Sequence, residues 1–464
     1  MFLNLDKKEK EKSAIVDSAG RKVTYGDLIK EAEAFAGFVP RRSLVFVLCK
    51  NSVGGCLGFT NCLITESVPL MLSVDMDKGL LEVLVDTYHP AFLWKPEETV
   101  GDEKVIMSSN GYSLIATGLS PYPMYEELSM LLTTSGSTGS PKLVRHSYAN
   151  LEAQGRNISA FFELTGEDRP LLDLPIHYTM GLSVLISHLY AGATVFITPH
   201  NVLDAEYWTF LKSNHITSIT NIPYTYELLY KLRFLRMDLP DLKIVTQGGG
   251  KLKADIYIAF AEYADKTGRK FIPTYGQTEG TARMAYLPAE YALTKIACIG
   301  KAIPEGKLYL VDDNNEVITT PDTVGEMVYE GPNVTLGYAL KGEDLSLGDE
   351  RHGVLRTGDL ARTDEDGFVY IMARMGRILK INGHRVGLDE CEQIIKSVFE
   401  VECACTGTDK LAIAYVNKPD GLDEIKAHLA EVTNLNSSFF EVRYIETIPR
   451  NEAGKVLYSA LAKE

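Results

Sequence analysis

An apolar segment that runs directly into a loop of small residues constrains the fold of this chain more than any other stretch. Residues 131–134 read Leu-Leu-Thr-Thr, which is typical of the end of a buried strand, and residues 135–142 contain no bulky side chain. Glycine allows backbone angles that are closed to other residues, and successive exposed N–H groups can then form a concavity that holds phosphate oxygens. The spacing differs from that of the P-loop, because Gly136 and Gly139 are three apart and a proline precedes Lys142. The sequence predicts a phosphate-binding loop after a strand, and a flexible linker rich in serine and glycine is the alternative.

The length and charge of the chain limit its domain count and its partners. With 464 residues it is too long for one compact domain, and 45% hydrophobic residues are enough for proper cores. The net charge of −15 and the pI near 5.2 argue against nucleic acid and anionic membranes as main partners, because both require basic surface. We expect two or three domains and no nucleic-acid partner.

The cysteines and the N-terminus predict the compartment. The seven cysteines are an odd number, lie in apolar surroundings and form no C-x-x-C pair, so reduced core thiols fit better than a zinc or redox site. Residues 1–7 become charged at once and lack the apolar core of a signal peptide, and no apolar run reaches the roughly 18 residues of a membrane span. We expect a cytoplasmic protein without a membrane span.

Strand-like and helical segments alternate along much of the chain. Residues 44–48 predict a buried strand, 53–64 a helix and 68–72 the next strand, which is the pattern of βαβ units in a largely parallel sheet. We predict an α/β fold with a large N-terminal domain of several subdomains, residues 1–373, which has mainly parallel sheets with helices and a β-rich part, and a small α+β C-terminal domain, residues 374–464. Further predicted elements are helices at 28–38, 150–162, 182–190, 388–399 and 422–429, strands at 194–197, 244–247, 308–311, 325–329, 367–371, 411–416 and 442–445, and a hairpin at 378–386.

Two polar stretches stand where a ligand can be held. The glycines at 248–250 end a predicted strand, where a flat ligand can approach the backbone closely, and in open α/β sheets ligands bind at this end of the strands. Residues 273–280 form a compact loop in which Tyr275 could stack on a base, Thr278 could donate to a phosphate oxygen and Glu279 could bind Mg²⁺. A polar turn without a ligand is the alternative for this loop.

Two single residues have both a structural and a functional interpretation. Asp359 lies in a predicted tight turn at 356–360, where its carboxylate could accept hydrogen bonds from two sugar hydroxyls. His177 precedes a predicted helix and, taken alone, is better explained as a hydrogen-bonded core histidine.

Five motifs in one order resemble the adenylate-forming superfamily of acyl-CoA synthetases, stand-alone amino-acid adenylation domains and firefly luciferase. They are the phosphate loop, the Tyr-Gly-Gln-Thr-Glu loop, the Thr-Gly-Asp segment, the turn at Arg374 and the Gly-Lys pair near the end, and the resemblance spans residues 24–455. It implies ATP-dependent conversion of a carboxylic acid to an acyl-adenylate and pyrophosphate, followed by transfer to a thiol that gives a thioester and AMP. It also implies a mobile C-terminal domain, and ATP, Mg²⁺ and CoA or phosphopantetheine as cofactors.

The same resemblance implies roles for individual residues. Catalysis would involve Lys455, between the substrate carboxylate and the α-phosphate, together with Thr278, Glu279 as Mg²⁺ ligand, and His177. The implied nucleotide site consists of Thr134, Ser135, Gly136, Ser137, Thr138, Gly139, Lys142, Gly249, Gly250, Tyr275, Gly276, Thr278, Asp359 and Arg374. The implied acid site consists of His177, Tyr178, Thr179, Tyr224, Gly248 and Gly276, with Gly383 in the thiol channel and Gly376 at the hinge.

Four positions depart from the pattern of the superfamily. Leu143 stands where a glycine commonly follows Pro-Lys, Tyr148 replaces a histidine, and Ala373 replaces a glycine before Arg374. Gly376 stands where many members carry an aspartate hinge, so this position keeps backbone freedom but lacks the carboxylate. We expect the first three changes to be tolerated and the hinge to be looser or shifted.

The segment 177–181 limits the class of acid. Amino-acid adenylation domains pair the substrate ammonium with an aspartate in the corresponding segment, whereas this chain has Thr179 there. Because an unpaired ammonium in a pocket is costly, an acid without an α-amino group is favoured. The sequence ends at Glu464 without a fused carrier domain, so we expect CoA or a separate carrier protein as the thiol acceptor. An amino-acid:carrier-protein ligase and a non-catalytic nucleotide-binding protein of the same fold stay open as alternatives.

Overall fold

The chain forms two compact units. The computed structural model describes residues 1–133, 142–381, 384–433, 435–451 and 454–461. The first unit consists of Met1–Leu308 and Tyr329–Leu355, and the second of Tyr309–Val328 and Arg356–Glu464. The second unit therefore contains the predicted C-terminal domain together with two earlier segments, and the boundary between residues 373 and 374 stays a prediction.

The strands are short, and those at the centres of the two large sheets are almost entirely buried. In chain order they are β1 (Ser13–Asp17), β2 (Lys22–Thr24), β3 (Leu44–Cys49), β4 (Val68–Ser73), β5 (Phe92–Pro96), β6 (Val105–Ser109), β7 (Tyr112–Ala116), β8 (Leu128–Thr133), β9 (Leu143–Ser147), β10 (Pro170–Leu172), β11 (Val195–Ile197), β12 (Ser218–Asn221), β13 (Ile244–Gln247), β14 (Lys270–Tyr275), β15 (Ala285–Tyr286), β16 (Lys301–Ala302), β17 (Lys307–Val311), β18 (Val317–Ile318), β19 (Gly325–Glu330), β20 (Gly337–Ala339), β21 (Val354–Thr363), β22 (Val369–Arg374), β23 (Ile378–Ile381), β24 (His384–Gly387), β25 (Cys403–Thr408), β26 (Leu411–Val416) and β27 (Phe440–Tyr444).

Several helices begin at a side-chain cap. The helices are α1 (Tyr25–Ala36), α2 (Val53–Ile64), α3 (Lys78–Tyr88), α4 (Tyr148–Phe162), α5 (Thr179–Ala191), α6 (Ala205–Ser213), α7 (Pro223–Lys231), α8 (Ala254–Thr267), α9 (Leu388–Val398), α10 (Leu422–Thr433) and α11 (Tyr458–Leu461). Reciprocal hydrogen bonds between Thr24 and Asp27 start α1, and the same arrangement of Ser147 and Asn150 starts α4. Short 3₁₀ turns occur at Phe2–Lys7, Glu97–Thr99, Phe234–Arg236, Thr278–Gly280, Ala289–Tyr291, Gly342–Ser346, Met375–Arg377 and Ser437–Phe439.

The first unit contains two sheets with parallel centres and antiparallel edges. One sheet has the order β16-β15-β14-β13-β12-β10-β11-β1-β2, in which the six strands from β14 to β1 are parallel. The other has the order β20-β9-β8-β4-β3-β5-β7-β6, in which β8, β4, β3 and β5 are parallel. The α/β prediction is confirmed, and the antiparallel edge strands make both sheets mixed.

One hydrophobic core joins helices α1, α2, α4 and α5 to strands of both sheets. Helix α2 is buried at every position from Val53 to Leu63. A helix packed on all sides has no need of a polar face, which explains its composition of glycine, cysteine, leucine and phenylalanine.

The second unit has the predicted α+β character. It contains most of a five-stranded sheet of order β18-β17-β19-β21-β22, the hairpin β23–β24 and a three-stranded sheet of order β25-β26-β27. Buried residues of α9 and α10 form one core with strands β23 to β27.

Most predicted elements occur, and the differences lie mainly at their ends. Helix α2 and strands β13 and β26 have the predicted bounds. The helix predicted at 28–38 begins earlier, at Tyr25, because Thr24 supplies its cap. All seven cysteines are buried, as expected. Among the residues described, none of the helices has the length and hydropathy that a membrane span requires.

Candidate active site

The predicted acid-binding residues all follow the carboxyl ends of four neighbouring parallel strands. Strands β10, β12, β13 and β14 are adjacent in the nine-stranded sheet and run parallel. Ligands of open α/β sheets bind at this edge. The order is His177, Tyr178 and Thr179 after β10, Tyr224 after β12, Gly248 after β13 and Gly276 after β14.

Tight packing at the end of β13 explains why glycine stands there. A Cβ on Gly248 would lie 2.8 Å from both Cε of Met180 and Oγ1 of Thr274. Gly249 has a φ of +80°, a left-handed conformation that side chains disfavour. Helix α5 begins beside this strand end, with the ring of buried His177 4.4 Å from that of Tyr178.

The loop after β14 folds back on itself and is rigidly anchored. A Cβ on Gly276 would lie 1.4 Å from the carbonyl oxygen of Ala282, so no other residue fits without moving the loop. The amide of Asn333 donates to the carbonyls of Gly280 at 2.7 Å and Arg283 at 3.1 Å. Pro273, Thr274 and Tyr275 belong to β14, so the loop is shorter than predicted.

Glu279 lies in the 3₁₀ turn Thr278–Gly280 and is held at both its backbone and its carboxylate. Its carbonyl accepts hydrogen bonds from the backbone N–H and the hydroxyl of Thr335, at 3.0 and 2.9 Å. Its Oε1 accepts one from the hydroxyl of Tyr338 at 2.8 Å. Burial and then the charge of Glu279 raise the pKa of Tyr338 to about 12, so the phenol stays protonated and donates.

Tyr338 also joins Glu279 to Lys142. The Lys142 ammonium lies 3.4 Å from the centroid of the Tyr338 ring, and the Arg351 guanidinium carbon lies 4.6 Å from it. A cation suited to phosphate and a carboxylate suited to a metal therefore contact one tyrosine. Tyr338, Arg351 and Thr335 are not among the predicted site residues, because a tyrosine after a glycine in a strand gives no functional signal by itself.

The Tyr338→Phe variant tests the link between Tyr338 and Glu279. We expect the variant to require a roughly tenfold higher Mg²⁺ concentration for half-maximal activity. Replacing a residue that orients a metal ligand typically costs about ten- to a hundredfold in metal affinity or activity. The measurement is ATP–pyrophosphate exchange against Mg²⁺ concentration, with Tyr230→Phe, at an exposed tyrosine of α7, as the control. An unchanged Mg²⁺ dependence would remove Tyr338 from this role.

In the second unit, the predicted ribose-binding residues lie opposite each other. Asp359 on β21 pairs in register with Arg374 on β22, and Nε of Arg374 is 3.7 Å from a carboxylate oxygen of Asp359. The prediction of a tight turn at 356–360 is wrong, because these residues belong to strand β21, and Asp359 and Leu360 are part of its antiparallel ladder with β22. The strand is irregular there, with Gly358 at a φ of +70° and a register shift after Leu360.

The remaining predicted residues are either exposed or outside the described chain. The side chain of Lys455 is exposed, while its backbone N–H donates to Oδ1 of Asn451 at 2.9 Å. Gly376 lies in the 3₁₀ turn Met375–Arg377, and a Cβ there would meet nothing within 4 Å. The described residues do not include Thr134, Ser135, Gly136, Ser137, Thr138, Gly139 and Gly383.

Comparison with known proteins decides the family. The family model described as AMP-binding enzyme matches residues 4–339. The chain belongs to the AMP-binding enzyme family. A 2-succinylbenzoate–CoA ligase of Bacillus cereus is 29% identical over 72% of this chain and 69% of its own length, and one of Geobacillus sp. is 25% identical over 96% and 93%.

The fold of this AMP-binding enzyme is also that of solved family structures. The o-succinylbenzoate CoA synthetase of Bacillus subtilis in complex with AMP has a TM-score of 0.81 at 21% identity, covering 99% of this chain and 97% of that one. ATP-bound MatB from Rhodopseudomonas palustris has a TM-score of 0.79 at 22% identity, covering 100% and 99%. The enzyme is an AMP-forming acid–thiol ligase: it adenylates a carboxylic acid with ATP and transfers the acyl group to a thiol.

The residues present fit ATP with Mg²⁺. Within the described parts of the chain no three His, Cys, Asp or Glu side chains come together as a metal cage. Mg²⁺ needs no such cage, because it is usually held by one or two carboxylates, water and substrate phosphates. Glu279 would supply such a carboxylate, and a B. subtilis o-succinylbenzoate CoA synthetase has been solved with ATP and a magnesium ion. When bound, the ion would neutralise charge on the phosphates.

Proposed function

We propose that this ligase activates a carboxylic acid without an α-amino group and transfers it to CoA. The observation that carries the proposal is the set of acid-site residues, which follow the ends of four adjacent strands. The set has Thr179, and no carboxylate, at the position where amino-acid adenylation domains pair the substrate ammonium. The names of the relatives, which are CoA ligases, support CoA over a carrier protein.

We further propose that the work of this enzyme is positioning and charge stabilisation. The carboxylate of the acid attacks the α-phosphorus of ATP, and the bond from that phosphorus to the bridging oxygen of pyrophosphate breaks. No protein nucleophile is needed, so the chain must hold two anions together and stabilise the phosphoryl oxygens. Lys142, Thr278 and Lys455 supply donors, Glu279 the metal ligand, and Asp359 with Arg374 the ribose contact.

Amino-acid activation is the second candidate function, and Asp173 is the specific observation that favours it. Asp173 directly follows β10, four residues before His177. Burial raises the pKa of its carboxyl to about 7. An ammonium placed beside it would restore the carboxylate, because opposite charges favour the ionised forms.

ATP–pyrophosphate exchange over a panel of acids separates the two candidates. We expect exchange with at least one fatty, aryl or keto acid or with 2-succinylbenzoate, and none with the common amino acids. A signal confined to amino acids that disappears in Asp173→Asn would establish the second candidate. Thioester formation from the active acid, with CoA and with a phosphopantetheinylated carrier protein compared, identifies the acceptor.

We also propose a cytosolic location and a mobile domain that begins at residue 374. The location is supported by the seven buried cysteines, whose burial suits thiols in a reducing compartment. The position of the boundary is supported by the 3₁₀ turn Met375–Arg377, which directly follows the end of β22.

A further inference from the structure

A buried arginine that has no carboxylate partner among the described residues lies close to the proposed acid site. Arg283 is 3% exposed; its Nε donates to Oγ of Ser183 at 3.4 Å and its guanidinium carbon lies 4.9 Å from the Phe162 ring centroid. Its Nη1 is buried and has no hydrogen-bond partner among the described residues. Burial lowers the pKa of Arg283 to about 9, so the group is still a cation at neutral pH. A buried cation without a counter-charge is costly, which points to a ligand that supplies one.

The guanidinium lines a narrow cavity between α5 and the sheet, whose walls are apolar side chains of Phe162, Leu164, Ile219 and Ile244 together with several polar groups. Ser218 and Thr220 line it from the same face of β12, since they are two residues apart on a strand, and Ser187 and His188 line it from α5. The space is about that of one water molecule, which suits a single terminal oxygen and not a ring. The cavity therefore combines a positive charge with hydroxyl groups in a volume that fits the end of a small anion.

One face of α5 connects this cavity to the proposed acid site. Met180, Ser183 and Ser187 are three and four residues apart, so they lie on one face of the helix. Cε of Met180 packs at Gly248, Ser183 contacts Arg283, and Ser187 lines the cavity. With a rise of about 1.5 Å per residue along α5, Ser183 lies about 5 Å and Ser187 about 10 Å from Met180. The cavity therefore lies back from the acid site, towards the amino ends of β12 and β13.

We propose that Arg283 binds a second anionic group of the acid substrate, at the end opposite the carboxylate that is adenylated, so that the substrates are short dicarboxylic acids. The proposal rests on the proposed function and names its substrate class. Met180 lies at the acid-site end of this face of α5, where it packs at Gly248, and its flexible thioether can yield to the carbon chain of a substrate. A charge-assisted hydrogen bond to the distal carboxylate then balances the arginine.

Matched acids test the proposal. Pyrophosphate exchange is measured for the dicarboxylates from succinate to suberate, for the monocarboxylates of equal chain length, and for the monoamides of the same diacids. We expect kcat/KM of the best diacid to exceed that of its monocarboxylate and monoamide by about ten- to a hundredfold, the worth of a hydrogen bond to a charged group.

Two variants separate ligand binding from a structural role. Arg283→Leu is expected to remove the preference for diacids while leaving activity with monocarboxylates. The melting temperature of the ligand-free variant should be unchanged or higher, because an unpaired buried charge has been removed. Arg269→Leu is the control, since Arg269 is half-buried and donates to the carbonyl of Leu239 at 2.7 Å; it should leave the preference intact.

The outcomes distinguish this proposal from the proposed function. If wild-type enzyme supports exchange with no acid of any panel, the proposed function fails. If it is active but prefers monocarboxylates, or if Arg283→Leu leaves the diacid preference unchanged, Arg283 has no role in specificity. Arg283→Leu could also change the melting temperature and leave the diacid preference as it is. If chloride then stabilises the wild-type enzyme as much as a diacid does, the cavity holds a structural anion and the proposal is overturned.

Discussion

Replacing Lys455 by alanine is expected to lower acyl-adenylate formation by about a hundred- to a thousandfold, the usual cost of removing one donor that stabilises developing charge. The backbone of this loop should survive the change. The N–H of Lys455 donates to Asn451 Oδ1 at 2.9 Å, and the N–H of Asn451 donates to the Lys455 carbonyl at 2.9 Å. Neither bond uses the lysine side chain, which is exposed. We therefore expect these two backbone hydrogen bonds to persist in the variant, and thermal melting checks that it is folded.

The two half-reactions of Lys455→Ala are expected to respond differently. Pyrophosphate exchange reports the first, and release of AMP from a supplied acyl-adenylate with CoA reports the second, which should be retained. Lys410→Ala removes another exposed lysine of the same unit and should leave both half-reactions intact. Wild-type exchange in Lys455→Ala would show that the role assigned to this residue is wrong.

Patterns of neighbouring residues in the sequence, such as a buried strand followed by glycines, predict those parts of the candidate site that lie at strand ends. The glycines at 248–250 follow a buried strand, and a parallel sheet brings all such strand ends to one edge. Gly276 was implied by the resemblance to the superfamily, and the structure adds why a side chain is excluded there: the carbonyl of Ala282 occupies the space. Periodicity and strand-end glycine are short-range signals, so a single sequence contains them.

Contacts between distant parts of the chain could not be predicted in this way. Tyr338 reaches Glu279 across 59 positions, and Arg351 reaches it across 72. Arg283 gave no signal because arginine is normally exposed, and only the fold shows that it is buried with no carboxylate partner in the described part of the chain. The composition Thr-Gly-Asp predicts a turn at Asp359, whereas pairing with β22 extends the strand through it. In each case contacts between residues distant in the chain determine the structure, and the local sequence preference does not.

The anchored residues on either side of Gly376 restrict where a hinge can lie. Arg374 is the last residue of β22 and pairs with Asp359. Arg377 forms an ion pair with Asp389, and its Nη2 donates to Glu392 at 2.6 Å. Arg377 therefore belongs with α9, so the two residues between these anchors, at 375 and 376, are the ones that can absorb a large change of φ and ψ.

Replacing Gly376 by proline is expected to spare one half-reaction and to impair the other by at least about tenfold. Proline fixes φ near −65° and restricts the residue before it, so only one of two arrangements would remain accessible. The site has room for the ring, because a Cβ on Gly376 meets nothing within 4 Å. Gly376→Ala is the matched control: it fills the same open space but leaves φ adjustable, so both half-reactions should stay near wild type. Exchange and acyl transfer are measured separately on variants shown by thermal melting to be folded. Equal loss of both half-reactions in Gly376→Pro, or full retention of both, would place the pivot elsewhere.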